Sequence, residues 1–183
     1  MARAWIVGTA LGLALASVAG TSAARAEVAD VSPAGFEIRH TVEIAAPAAR
    51  VWAALVQPGQ WWNSQHSWSG DAHNLTLDAK AGGCWCEALP GGGGARHMSV
   101  VYVSPGKEMR LEGSLGPFQF TGASGHMVWA LAEKDGKTTL TWTYDVGGYV
   151  KGGVDKLAAP VDRVLGEQAG RLKRYVETGK PAG

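Results

Sequence analysis

The stretch LAAPVDRVLGEQAGRLKRYV, from Leu157 to Val176, decides the fold. Leu157, Val161, Val164, Leu165, Gln168, Leu172, Tyr175 and Val176 recur at helical spacing on one face, while Asp162, Arg163, Glu167, Arg171, Lys173 and Arg174 face outward. This is the longest helix the chain offers, and its apolar stripe needs a surface to cover. Pro160 lacks the N–H for an i to i−4 bond, so the helix either kinks there or begins there. Gly147, Gly148, Gly152 and Gly153 precede it and free the chain to turn.

Upstream, back to Asn74, the period changes to two. LTLDA ends at Gly82-Gly83, CWCEAL at Pro90 and the run Gly91 to Gly94, and RHMSVVYV at Ser104-Pro105-Gly106. EMRLEGSL ends at Gly116-Pro117, and GHMVWALAE meets KTTLTWTYDV across Asp135-Gly136. Strands at such regular spacing predict an antiparallel sheet of consecutive neighbours. Further back, FEIRHTVEI (Phe36–Ile44) alternates as one more strand, Pro47 opens a short helix with the stripe Val51, Trp52, Leu55 and Val56, and Pro58-Gly59 ends it. A second short helix or turn carries Trp61 and Trp62, followed by the polar loop NSQHSWSGDAH. The order is one strand, two short helices, six or so strands and a long helix: an α+β chain whose curved sheet grips one helix and leaves space for a ligand cavity between them.

The N-terminus reads as an export signal. MARAWIVGTALGLALASVAGTSAARA has a basic start, an apolar run too short for a membrane span and an A-x-A-like site at Ala24-Arg25-Ala26. Residues 1–26 are expected to be removed, residues 27–35 to form a loose lead-in, and residues 36–178 to form a single domain in the periplasm or outside the cell. Removing Arg3 and Arg25 from the 17 basic residues leaves 15 against 16 acidic ones, a net charge of −1. That balance excludes a basic face for nucleic acid, and no second stretch could span a bilayer.

Composition adds two oddities: 26 Gly, about twice the usual ~7%, and 8 Trp beside 3 Phe and 4 Tyr. An indole is costly to bury without a partner for its N–H, so the bias suggests a wide apolar interior or groove. The two cysteines, Cys84 and Cys86, share a face of one strand, where extended geometry argues against a strain-free disulfide. They read as small buried hydrophobes or, with His97 or His66, as part of a metal pair.

The pattern F-E-I-x-H-T-V-E-I-A-A-P-A-A-x-V-W at Phe36 to Trp52, Trp61-Trp62 followed by HSWSGDA, GGCWCE, VVYVSPG, LEGSLGP and the closing VDRVLGEQ resemble the START-like SRPBCC superfamily. The nearest branches are those of the activator of the heat-shock-protein-90 ATPase and of polyketide-cyclase-like proteins. The resemblance runs from Phe36 to about Val176. It implies a helix-grip fold, a curved antiparallel sheet of about seven strands wrapped around the C-terminal helix, with a hydrophobic cavity beneath that helix. Members include lipid carriers, hormone receptors, aromatic cyclases and co-chaperone domains. An exported chain should not meet a cytosolic chaperone, and the Gly91–Gly94 run lacks the GxxxxGK[ST] phosphate cradle, so neither ATP nor another cofactor is expected.

The leading expectation is a binding or carrier protein for a small hydrophobic or aromatic molecule. Trp62, Trp68, Trp85, Glu87, Met127, Trp129, Trp142, Tyr144, Val161 and Leu165 are the candidate ligand contacts. Leu140, Trp142 and Tyr144 alternate cleanly with threonines and should face inward, lining a void or filling the core. In CWCEAL, Trp85 and Glu87 share a face; turned inward, Glu87 would have its pKa raised beside an indole, and turned outward it would be solvated or paired with Arg96 or Arg110. The alternatives are a cyclase or dehydratase using Glu87, His97 or Tyr102 as acid or base, and an interaction module presenting Trp61, Trp62 and Trp68 as an exposed patch. The histidines, His40, His66, His73, His97 and His126, show no metal-ligand spacing, and GASGH at Gly122–His126 is not a GxSxG elbow.

Overall fold

The computed structural model describes Met1 and residues 25–182. Eight antiparallel strands form one sheet: β1 (Arg25–Ser32), β2 (Gly35–Ile44), β3 (Leu75–Leu77), β4 (Cys84–Leu89), β5 (Gly93–Ser104), β6 (Glu108–Gly113), β7 (Gly122–Lys134) and β8 (Lys137–Tyr149). Their order is β1-β2-β8-β7-β6-β5-β4-β3. From β3 to β8 each strand lies beside its sequence neighbour, and β2 closes back against β8. Helices α1 (Ala48–Leu55) and α2 (Pro58–Trp61) connect β2 to the loop before β3, and α3 (Ala158–Thr178) crosses the inner face of the sheet. This is the helix-grip arrangement.

The strand count exceeds expectation by one, because part of the supposed loose lead-in is β1, paired along β2. Pairing there needs only the free backbone groups of β2 and a tight turn through Pro33-Ala34, so no strict side-chain alternation announces it. The expected leader, residues 1–26, lies outside the described residues except for Met1 and the first two positions of β1.

Pro160 falls in the first turn of α3, where its missing N–H costs nothing, so the helix begins at this point rather than kinking. Gly179 ends it in the left-handed conformation (φ 78°), its N–H returning to the Tyr175 carbonyl. Leu165, Gln168, Ala169, Leu172 and Val176 are buried beneath it. Two of the residues expected to face outward turn back: Asp162 pairs with buried His40 at 3.0 Å, and Arg171 donates to the carbonyls of Trp61 (2.9 Å) and Trp62 (3.4 Å). Helix α1 has no N-cap side chain of its own; Glu133 on β7 accepts from the Ala48 N–H at 2.8 Å instead.

Five tryptophans make the centre of the core. Trp61, Trp62, Trp85, Trp129 and Trp142 form a closed ring of neighbours, with successive centroids 5.6, 5.1, 5.5, 5.3 and 6.0 Å apart, all in tilted or edge-on contact. The Trp surplus therefore fills space more than it encloses it. Trp61 donates to the Ala54 carbonyl and Trp62 to that of His66, whereas the buried indole nitrogens of Trp85, Trp129 and Trp142 have no hydrogen-bond partner among the described residues.

Strand β5 carries two bulges. The register against β4 passes from Trp85↔Met98 to Cys86↔Arg96, skipping His97, and against β6 it passes from Val100↔Leu111 to Tyr102↔Arg110, skipping Val101. A bulge re-aims the side chains around it. Here it buries His97 beside Met98, two consecutive residues, and turns Tyr102 out of the parity of Met98 and Val100.

Candidate functional site

A cavity of about 320 Å³ lies between α3, the loop after Trp62, the turn Leu115–Phe118 and the inner face of the sheet. Its walls are largely apolar. Val161, Val164 and Leu165 descend from α3, Trp85 and Tyr144 rise from β4 and β8, and Trp62 and Trp68 come from the loop. Its polar positions are Gln65, His66 and Ser67 near the mouth and His97 on β5. At the rim, half-exposed Trp68 packs edge-on against Phe120, 5.5 Å between centroids.

The mouth loop is held from two sides. From α3, Gln168 accepts from the Asn63 N–H at 2.8 Å, Glu167 accepts from the Asn63 amide at 2.5 Å and approaches His66 at 3.3 Å, and Arg171 takes the two carbonyls already named. From β4, Glu87 accepts from the backbone N–H groups of Trp68 (3.1 Å) and Ser69 (2.5 Å). Glu87 also faces Nε2 of His97 at 2.9 Å, and both side chains are buried. Gln119 reaches His97 Nδ1 at 3.3 Å. The arrangement suits an imidazole whose Nε2–H donates to the carboxylate while Nδ1 accepts from the Gln119 amide.

The inward orientation of Glu87 is one of the two considered above, but the consequence for its acidity is reversed. Desolvation pushes the carboxyl upward, and the hydrogen bonds from Ser69, the Trp68 N–H and His97 together outweigh it, holding Glu87 below the ordinary glutamate range. Glu87 is thus a buried carboxylate rather than a protonated acid. It stands behind the cavity wall, with His97 between. Burial pushes the Tyr144 hydroxyl up to about 12, so it stays a neutral acceptor for the Leu115 N–H (3.4 Å).

Of the other candidates, Trp62, Trp68, Trp85, Tyr144, Val161 and Leu165 stand on the cavity wall. Met127, Trp129 and Trp142 do not: they are fully buried in the core below it. Tyr102 leaves the site altogether, because the bulge at Val101 places it on the outer face, half-exposed, with the Arg110 guanidinium 4.5 Å over its ring. The proposed patch of Trp61, Trp62 and Trp68 dissolves, since the first two are buried. Sequence reasoning named Glu87 and His97 but missed Gln119 and the contacts that join the three, and it missed Phe118, Leu115 and Val164 on the wall; of those missed only Val164 carried a signal, its place on the helical stripe.

The cysteine reading is also corrected. Cys84 and Cys86 are half-buried on the outer face and joined by a disulfide, with Cα atoms 5.4 Å apart. Two regular strand steps would span about 6.6 Å, near the long end of what a bridge accepts; beside the bulge in β5 the separation is contracted to 5.4 Å, close to the commonest value for a bridge. Among the described residues no group of three or more His, Cys, Asp or Glu could hold a metal, and no helix is long and apolar enough to cross a membrane.

Comparison with curated proteins gives no match. Solved structures share the fold. DynU16, from the dynemicin biosynthetic locus, superposes with a TM-score of 0.57 at 24% identity over 79% of this chain and 48% of its own, so the chain spans about half the length of DynU16. The solution structure of CalU16 from Micromonospora echinospora gives 0.57 at 15% identity, covering 91% of this chain and 81% of that one. A protein from Arthrobacter aurescens gives 0.55 at 16%, covering 85% and 96%. The family model described as polyketide cyclase / dehydrase and lipid transport matches residues 35–177, the whole span from β2 to the end of α3. The chain belongs to this polyketide cyclase / dehydrase and lipid transport family, within the START-like SRPBCC superfamily.

Proposed function

We propose that the protein is an exported carrier or binding protein for a small hydrophobic or aromatic molecule. The observation that carries this reading is the cavity: about 320 Å³, walled by aromatic and branched side chains, with a few polar groups at its mouth and one imidazole inside. That volume sits at the low end of ligand pockets, which run from ~300 to ~1,000 Å³, and favours a compact ring system or a single short chain over a two-chain lipid. Export rests on the leader-like sequence ending at Ala26, and the Cys84–Cys86 bridge agrees with an oxidising compartment.

The test is a fluorescence titration and native mass spectrometry of the chain from Glu27 onward, against bicyclic and tricyclic aromatics and medium-chain fatty acids. Trp62, Trp68 and Trp85 line the cavity, so occupancy should shift the emission and add one ligand mass per chain. No adduct and no spectral change with any of these probes would overturn the reading. N-terminal sequencing of protein from the periplasmic fraction tests export, with Glu27 as the expected first residue.

A second reading is favoured by one observation, the 2.9 Å Glu87–His97 contact with His97 on the cavity wall. In a cyclase or dehydratase, His97 would exchange a proton with the substrate through Nδ1, the substrate displacing the Gln119 amide, while Glu87 holds the ring through Nε2 and balances the imidazolium. Turnover of a polyketide-like substrate that survives replacement of both His97 and Glu87 by Gln would end this reading.

A further inference from the structure

We propose that the Cys84–Cys86 bridge is a thiol–disulfide exchange site for a small polar thiol, built on the outer face of the sheet. Four observations carry it. The bridge encloses a single residue, Trp85, and a disulfide restrains the unfolded chain less the shorter the loop it closes, so it contributes little as a brace. Strand β4 is already held by the β3 ladder on one side and the β5 ladder on the other. Both cysteines are half-buried on the outer face rather than sealed in the core, as exchange requires of a labile bridge. And the strand positions directly opposite them, Ser99 across from Cys84 and Arg96 across from Cys86, line a polar groove of about 540 Å³ that also contains Glu112, Gln119 and His126.

The groove supplies what exchange requires. A polar thiol has hydrogen-bonding groups to dock against there, and the Arg96 cation lies on the strand position facing Cys86, where it favours a thiolate. A thiolate of the small molecule attacks one sulfur of the bridge, forming a mixed disulfide and releasing the other cysteine as a thiolate. A second small thiol attacks the mixed disulfide at the small molecule's own sulfur, releasing the second cysteine. Two electrons and two protons pass to the protein, which ends as a dithiol, and the two small thiols end joined as their disulfide. With a small disulfide as oxidant the same steps run backward.

The cysteines lie on the opposite face of β4 from the cavity, the groove beside them shares only His97 with the cavity wall, and the exchange does not depend on the carrier reading. Its state is nonetheless visible inside, because Trp85 is the residue enclosed by the bridge and faces the cavity. Release of the bridge lets the contracted Cα separation of 5.4 Å relax toward that of a regular strand.

The experiment equilibrates the folded protein in buffers of reduced and oxidised glutathione at a series of ratios, quenches with acid, alkylates free thiols and reads the mass. The expected result is a reversible passage from no alkylation to two alkylations per chain as the ratio rises, accompanied by a change in Trp emission, without loss of the folded far-UV spectrum. The Cys84→Ser variant should trap one glutathione on Cys86, and Arg96→Ala should slow that capture. If Cys84→Ser does not fold, the wild-type titration alone decides. Reduction that occurs only in denaturant, or two thiols that alkylate at every ratio, would overturn the proposal.

Discussion

Glu87→Gln removes one charge and keeps the shape, and its cost can be worked out from the contacts. Glu87 accepts from the Ser69 N–H on one oxygen and from the Trp68 N–H and His97 on the other. A glutamine can keep only one oxygen there. If it serves Trp68 and His97, its NH2 faces the Ser69 N–H and that bond is lost, while the other two fall from charge-assisted strength, about 1.5–3 kcal/mol each, to about 0.5–1.5. Relief of the desolvation that opposes the buried carboxylate offsets part of this. The net loss should be about 2–3 kcal/mol, or about 5–10 °C in Tm for a domain of this size, measured by urea unfolding and calorimetry at pH 7. The pH dependence gives a second reading. Because the folded carboxyl lies below its ordinary value of 4.5, its contribution is fully present above that value and is lost as pH falls through the lower folded value. Wild type and Glu87→Gln should therefore converge in stability as pH falls from 4.5 through the lower folded value, where the wild-type carboxyl takes up its proton. A loss under about 0.5 kcal/mol, the scale of an ordinary surface substitution, with parallel pH curves, would refute the claim that this carboxylate anchors the mouth loop.

Three further outcomes are expected. Gly166→Ala places a Cβ 2.8 Å from Cε1 of the buried His40 imidazole, and should cost about 1–3 kcal/mol in urea unfolding. Burial lowers the His40 pKa below 6.5 despite Asp162 at 3.0 Å, so the folded state resists protonation; stability is complete above pH 6.5 and falls as pH drops through the folded value, and His40→Gln should flatten a series of melts between pH 7.5 and 5. Val161→Trp, at a half-buried point of the cavity wall, should abolish the fluorescence response to aromatic probes while leaving the free energy of unfolding within about 1 kcal/mol of wild type.

Where the sequence could be read, it was read through period, and where it could not, the period was broken. The stripe of α3 from Leu157 to Val176 and the alternation of Leu140, Trp142 and Tyr144 are regular, and each side chain faces the way its spacing requires. The site depends on β5, whose two bulges each shift the parity by one. Reading on from Met98 and Val100, Tyr102 should point inward and His97 outward; the structure has both reversed, because one inserted residue flips every side chain beyond it. The bulge at His97 acts three ways at once. It delivers an imidazole to the cavity wall, sets it 2.9 Å from Glu87, and stands beside the contraction of β4 at the Cys84–Cys86 bridge. No local residue pattern encodes this, since RHMSVVYV contains no glycine to mark an irregularity. The polar anchors of the loop, Gln168 and Arg171, were hidden for a related reason. Their place on the helix was legible, but their partners are backbone atoms of Asn63, Trp61 and Trp62 more than a hundred residues away, and a main-chain partner leaves no signature in the sequence.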